Sequence, residues 1–210
     1  MKGTSIKSDY ERFQSGLSEL FTLVLICLLP PISIFCDLTL LGRRLLENSV
    51  TETFQELFLL FAIVTLWISA RKHPESRGML ALMAGLFACM FIRENDSALD
   101  HIWHGFWFWP AMTVAVVVIV YVAVYCRESV TGPVLDLFDS KSFLYIAMGL
   151  VVILVLSRLF GSGRFVWNTF ITGYYTHSVK TAIQEGLELF GYQLLANGSA
   201  MLARELNQSS

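Results

Sequence analysis

Six long apolar runs, each bounded by charged or turn-forming positions, set the rhythm of the chain: residues 17–41, 52–70, 78–92, 110–125, 143–156 and 181–202. The hydrocarbon core of a bilayer, about 30 Å thick, takes about 20 helical residues, so runs of this order predict membrane spans. Several are short for a full crossing, which implies helices that extend beyond their purely apolar stretch. Pro30 and Pro31 remove two backbone donors from the first run and predict a kink or break there. Ser49 and Glu52 have capping-box spacing at the start of the second. The third run leads into polar sequence that a continuing helix could include. The pattern predicts an all-α, polytopic transmembrane helical bundle of about six spans. It divides into a polar N-terminal segment (1–16), one helical domain (17–206) and a short tail (207–210).

Composition strengthens this reading. Of 210 residues 55% are hydrophobic and 15% charged, against roughly a quarter charged in a soluble domain. That is too little charge to cover a water-facing surface. A net charge of −2, with no basic cluster interleaved with aromatics, excludes nucleic acid as an expected partner. Cys27, Cys36, Cys89 and Cys126 lie in or beside apolar runs without C-x-x-C spacing and read as small buried hydrophobes. The first run is long and lacks a small-residue cleavage site, so it is expected to remain as a span. Assigning Lys and Arg to alternate sides puts nine on the side of both termini and six on the other. This predicts cytoplasmic termini.

The candidate chemistry collects at three places. Between Arg93 and His104 stand Glu94, Asp96, Asp100, His101 and His104. If the third helix continues through them, Asp96, Asp100 and His104 share one face at i, i+4 and i+8. Carboxylates and imidazoles converging this way suit metal binding or proton transfer. On the sixth run Glu185, Glu188 and Tyr192 form a polar stripe, and carboxylates inside a membrane normally face the bundle interior. With six spans, the end of the third, the start of the sixth and the start of the second, with Glu52 and Glu56, share one face whichever way the protein is oriented. His177 joins them. Trp103, Trp107, Trp109 and Trp167 belong to that face too and read as an interfacial belt. Gly161-Ser162-Gly163-Arg164 reads as a flexible turn, since it lacks the spacing of a phosphate-binding loop.

Phe91-Ile92-Arg93-Glu94 with Asp96, Asp100, His104-Gly105 and Trp107, followed by Glu185-Gly186-Leu187-Glu188 and Gly191-Tyr192, resembles a family of bacterial multi-pass inner-membrane proteins. That resemblance implies a location in the inner membrane and brings no activity with it. More loosely, the chain is similar to the seven-span membrane hydrolases that include alkaline ceramidases and adiponectin-receptor-like proteins, which hold zinc with three histidines. Here the six apparent spans and the lack of H-x-x-x-H in the last helix depart from that pattern.

The leading expectation is a metal-dependent hydrolase, with zinc as cofactor, acting on a lipid or lipid-linked substrate near the periplasmic leaflet. Asp100, His101, His104 and His177 are its candidate ligands. Glu94, Asp96, Glu185 and Glu188 are the candidate catalytic carboxylates, as further ligands or as the general base. The alternatives are a cation or proton transporter or relay, and a non-catalytic membrane subunit or assembly factor whose polar cluster locks helices together.

Overall fold

The computed structural model describes residues 2–40, 49–162, 167 and 176–209; at 2–9, 11, 40, 176–178 and 209 it describes the backbone alone. Of the residues named above, Arg164, Gly163 and all of 168–175 lie outside the described residues, and so does the His177 side chain. Among the described residues every regular element is helical.

Helix α1 (Lys2–Phe35) passes through Pro30 and Pro31 and opens only afterwards, into a wide π-helical turn at Cys36–Leu40. Of the expected kink or break, the break does not occur, and a partner helix supplies the reason. Pro30 has no N–H for the carbonyl of Ile26 one turn earlier. Gln193 Nε2, from the last helix, donates to that buried oxygen at 3.3 Å. The π turn carries the fully buried Asp37 to the start of α2 (Val50–Lys72). Its carboxylate accepts from the Val50 N–H at 2.7 Å, the Thr51 N–H at 3.0 Å and Thr51 Oγ1 at 2.6 Å. Helix starts leave N–H groups without partners and carry partial positive charge, so a carboxylate is the fitting cap. Ser49 caps the same end, accepting from the Glu52 N–H at 3.0 Å as its spacing predicts.

A short turn, Pro74–Ser76, joins α2 to α3 (Arg77–Glu94). After α3 come a single helical turn, α4 (Asp96–Leu99), and α5 (Phe108–Tyr125), which packs on α3. The apolar pattern gave no sign of α6 (Glu128–Phe138), a short helix whose Val130, Val134 and Leu137 lie against the bundle. Next, α7 (Lys141–Val151), a second π turn (Val152–Leu156) and α8 (Ser157–Gly161) form one continuous rod of 21 residues. The last helix, α9 (Thr176–Ser209), runs through the centre against α1, α2, α7 and α8.

Five helical segments are long and apolar enough to cross a membrane: 12–39, 50–72, 74–94, 108–125 and 141–161. The sixth predicted run lies within the 34-residue α9, which is long enough to cross a membrane but is not among the segments apolar enough to do so. α9 is more polar than the rest because its neighbours are protein, and a central helix does not have to present apolar side chains to lipid all round. The outer helices α1 and α5 do present them, through Phe21, Leu25, Val117 and Ile119 among others. Leu59, Leu66, Leu80, Phe87, Ile153 and Leu195 fill the middle of the bundle. At the α7–α9 crossing Gly149 and Gly191 bring two backbones together: a Cβ added to Gly149 would sit 2.8 Å from the Gly191 carbonyl oxygen. The four cysteines are separate thiols; of these only Cys126 is buried, which corrects the expectation for Cys27, exposed on α1.

Candidate functional site

One face of the bundle gathers the start of α2, the end of α3, the end of α8 and the start of α9. Gln55 reaches from α2 to α9, donating through Nε2 to Glu185 Oε2 at 2.9 Å and to the Glu185 carbonyl oxygen at 3.0 Å. One turn on, Glu188 is 3% exposed. Its Oε1 accepts from Gln184 Nε2 at 3.3 Å and lies 3.9 Å from Arg158 Nη2. Ser157 Oγ is 3.2 Å from the same oxygen and 2.6 Å from the Ile153 carbonyl, so its single proton serves one or the other.

From α3, Glu94 Oε1 accepts from Arg93 Nη2 at 2.7 Å. The charge of Glu94 acts on Glu185, Glu188 and Glu56, and that of Glu52 acts on Glu56 and Glu185. Among the described residues, five carboxylates therefore share one electrostatic neighbourhood with the guanidinium groups of Arg93 and Arg158. Tyr192 lies beneath them, fully buried. Its hydroxyl faces Glu94 yet makes no hydrogen bond of good geometry. Buried polar atoms in native proteins almost always have a partner, and the Glu94 carboxylate that this hydroxyl faces is the acceptor at hand.

A polar cavity of about 160 Å³ opens beside the cluster, lined by Glu52, Thr53, Glu56, Glu94, Asn95, Ser97 and His101. It has room for several water molecules. The sequence-predicted juxtaposition of the α2, α3 and α9 ends is thus present, with Glu94, Glu185 and Glu188 brought together.

The polar stretch after α3 is arranged otherwise than expected. The helix stops at Glu94, where Asn95 Nδ2 donates to the Phe91 carbonyl at 2.9 Å, so Asp96, Asp100 and His104 do not form one continuous helical face. Instead Asp100 organises a local turn. Its Oδ1 accepts from the Gly105 N–H at 2.9 Å, and its Oδ2 lies 3.0 Å from His104 Nδ1. Gly105 has φ +82°, a left-handed conformation that suits glycine. Asp96 is exposed, the His104 side chain is fully exposed, and His101 stands on the cavity rim with Nδ1 2.8 Å from the Ser97 carbonyl. Among the described residues no three His, Cys, Asp or Glu side chains converge to hold a metal ion. Of the four ligands expected for zinc, Asp100 and His104 form a pair, His101 lies beside the Ser97 carbonyl, and the His177 side chain lies outside the described residues.

Sequence reasoning passed over Gln55, Ser157 and Arg158. The alternation of sides that grouped the acids would also have put the end of the fifth span at this face. The amide of Gln55, one turn after Glu52 and buried in an apolar run, was a legible signal as well. Trp103 and Trp109 are exposed, as interfacial residues would be, whereas Trp167 is buried and donates to the Phe160 carbonyl at 2.6 Å. Comparison with family models, with curated proteins and with solved structures returns no match for this chain. Fold and site together define an all-α membrane-type bundle with a carboxylate-rich cavity at one end.

Proposed function

We propose that the protein is a proton-relaying membrane protein, in which Glu185 and Glu188 exchange protons with water admitted past Glu52, Glu56 and Glu94. The observation that carries this reading is a group of five carboxylates, gathered among the described residues near Arg93 and Arg158, of which Glu52, Glu56 and Glu94 line a polar cavity while Glu185 and Glu188 lie buried beside it. Like charges gathered in a low-dielectric setting are offset by protons or by a bound cation. A metal ion asks for several converging ligands, whereas a proton needs only a carboxylate with a hydrogen-bonding neighbour. Glu188 with Ser157 and Gln184, and Glu185 with Gln55, meet that simpler requirement.

Polar groups recur at the far end of the bundle, where Ser142 Oγ donates to Glu205 Oε2 at 2.7 Å. Between the two ends lies the apolar layer of Leu59, Leu66, Leu80 and Leu195. In this conformation the relay communicates with one face. Reaching the other requires the helices to move. We further propose an inner-membrane location, as the resemblance implies, with both termini cytoplasmic and the acid cluster periplasmic on the strength of the basic-residue asymmetry.

The test is proton flux into liposomes carrying the purified protein and a trapped pH-sensitive dye, under an imposed pH gradient. The wild type should exceed empty liposomes, and Glu188→Gln should cut the excess at least about a hundredfold, the lower end of what a positioned acid–base group contributes. Flux no greater than in empty liposomes, or an unaffected Glu188→Gln variant, would overturn the proposal.

A further inference from the structure

At the face opposite the acid cluster, the ends of α2 and α5 and the start of α3 surround a cavity of about 250 Å³. Arg71 and Arg77 line it, with Trp67 and Tyr121 as aromatic walls and Ala70 and Ala81 as a small-residue floor. The Arg71 guanidinium lies over the Trp67 ring, 5.4 Å from its centroid, which fixes the direction of an otherwise flexible and exposed side chain. Arg77 is held by its Nε, which donates to the Ala70 carbonyl at 3.1 Å and so closes the C-terminal end of α2. Among the described residues neither guanidinium has a carboxylate within ion-pair distance.

We infer that this cavity binds the phosphate of an anionic phospholipid headgroup. Three features of the cavity favour a lipid over a free anion. The cavity sits at the ends of three membrane-length helices, where headgroups lie. Its walls are Trp and Tyr, which favour the interface between lipid and water. Its charge comes from arginine, whose planar fork matches phosphate oxygens two at a time. Basic pockets between spans are a recurrent means of holding anionic headgroups. The inference is independent of the proton relay, because it uses other residues at the other end of the bundle.

The full-length protein, purified in detergent, can be tested by native mass spectrometry with phosphatidylglycerol, phosphatidylcholine or sodium phosphate added in turn. Phosphatidylglycerol should be retained about tenfold better than phosphatidylcholine, and Arg71→Gln should remove about that preference, as expected for the loss of one charge-assisted pair. Arg71→Lys should retain part of it. Arg71 is exposed, so its variants are expected to fold, and thermal unfolding measured alongside confirms this. Equal retention of the two lipids, unchanged retention in Arg71→Gln, or displacement of the lipid by sodium phosphate at matching concentration would overturn the inference. In the last case the cavity is a site for free anions.

Discussion

Gln55 and Glu185, 130 positions apart in the chain, are joined twice through one nitrogen, which donates to both the carboxylate and the main-chain carbonyl of the glutamate. The pair ties α2 to α9 at the level of the acid cluster. Gln55 is buried, so water cannot readily replace it.

Gln55→Leu, similar in size but unable to donate, should therefore lower stability by about 1–3 kcal/mol, the cost of leaving a buried acceptor without its partner. Equilibrium unfolding in mixed micelles measures it. No change in stability would mean that α9 is held without this contact.

Glu188 gives the sharpest contrast between a relay and a structural lock. Breaking a buried ion pair costs about 3–5 kcal/mol. The Arg158 guanidinium, however, is 3.9 Å away on a side chain 44% exposed, and can stay solvated when its partner is neutralised. Glu188→Gln keeps the shape and an acceptor for Gln184, and should alter stability by less than about 1 kcal/mol, as for a surface pair. A loss on the scale of a buried pair would favour the interior lock.

His104→Ala should leave both the unfolding temperature and proton flux unchanged. Its side chain is fully exposed, and its ion pair is with Asp100 in its own turn. Elemental analysis of the same preparations checks the point from the other side, since stoichiometric zinc lost in this variant would restore the metalloenzyme reading.

Gly191→Ala should destabilise the protein by about 1–3 kcal/mol, as overpacking does. The added methyl meets Ile153 on the neighbouring rod and comes 3.0 Å from the Gly149 carbonyl oxygen. Gly16→Ala is the control, for nothing lies within 4 Å of its would-be Cβ. Thermal melts of the two variants should separate clearly.

Much of the fold was legible because spans obey a length rule and an apolarity rule at once, and five described segments satisfy both. Glu185, Glu188 and Tyr192 were legible for a related reason: polar groups stand out in an apolar helix and must face inward. The Asp96–His104 stretch was misread because helical spacing was extended past Asn95, where the backbone leaves the helix and Gly105 turns it back. Composition could not show this. The continuity of the helix through Pro30 was not legible for the opposite reason, since the group that satisfies its freed carbonyl, Gln193, lies on another helix and no local rule reports it. Helix α6 escaped notice because it is too short and too mixed to register as a span.

The π turn at Val152–Leu156 bears on heredity as much as on geometry. Its bond from the Ser157 N–H to the Val152 carbonyl skips five residues where an α-helix skips four. Were the turn shortened by one residue, everything beyond would swing by about 100° around the rod. Ser157 and Arg158 would then leave Glu188 with no side chain having been changed. The environment of that acid is thus encoded partly in a count of residues, open to single-codon deletion and insertion yet out of reach of substitutions at the exposed Leu154 and Val155.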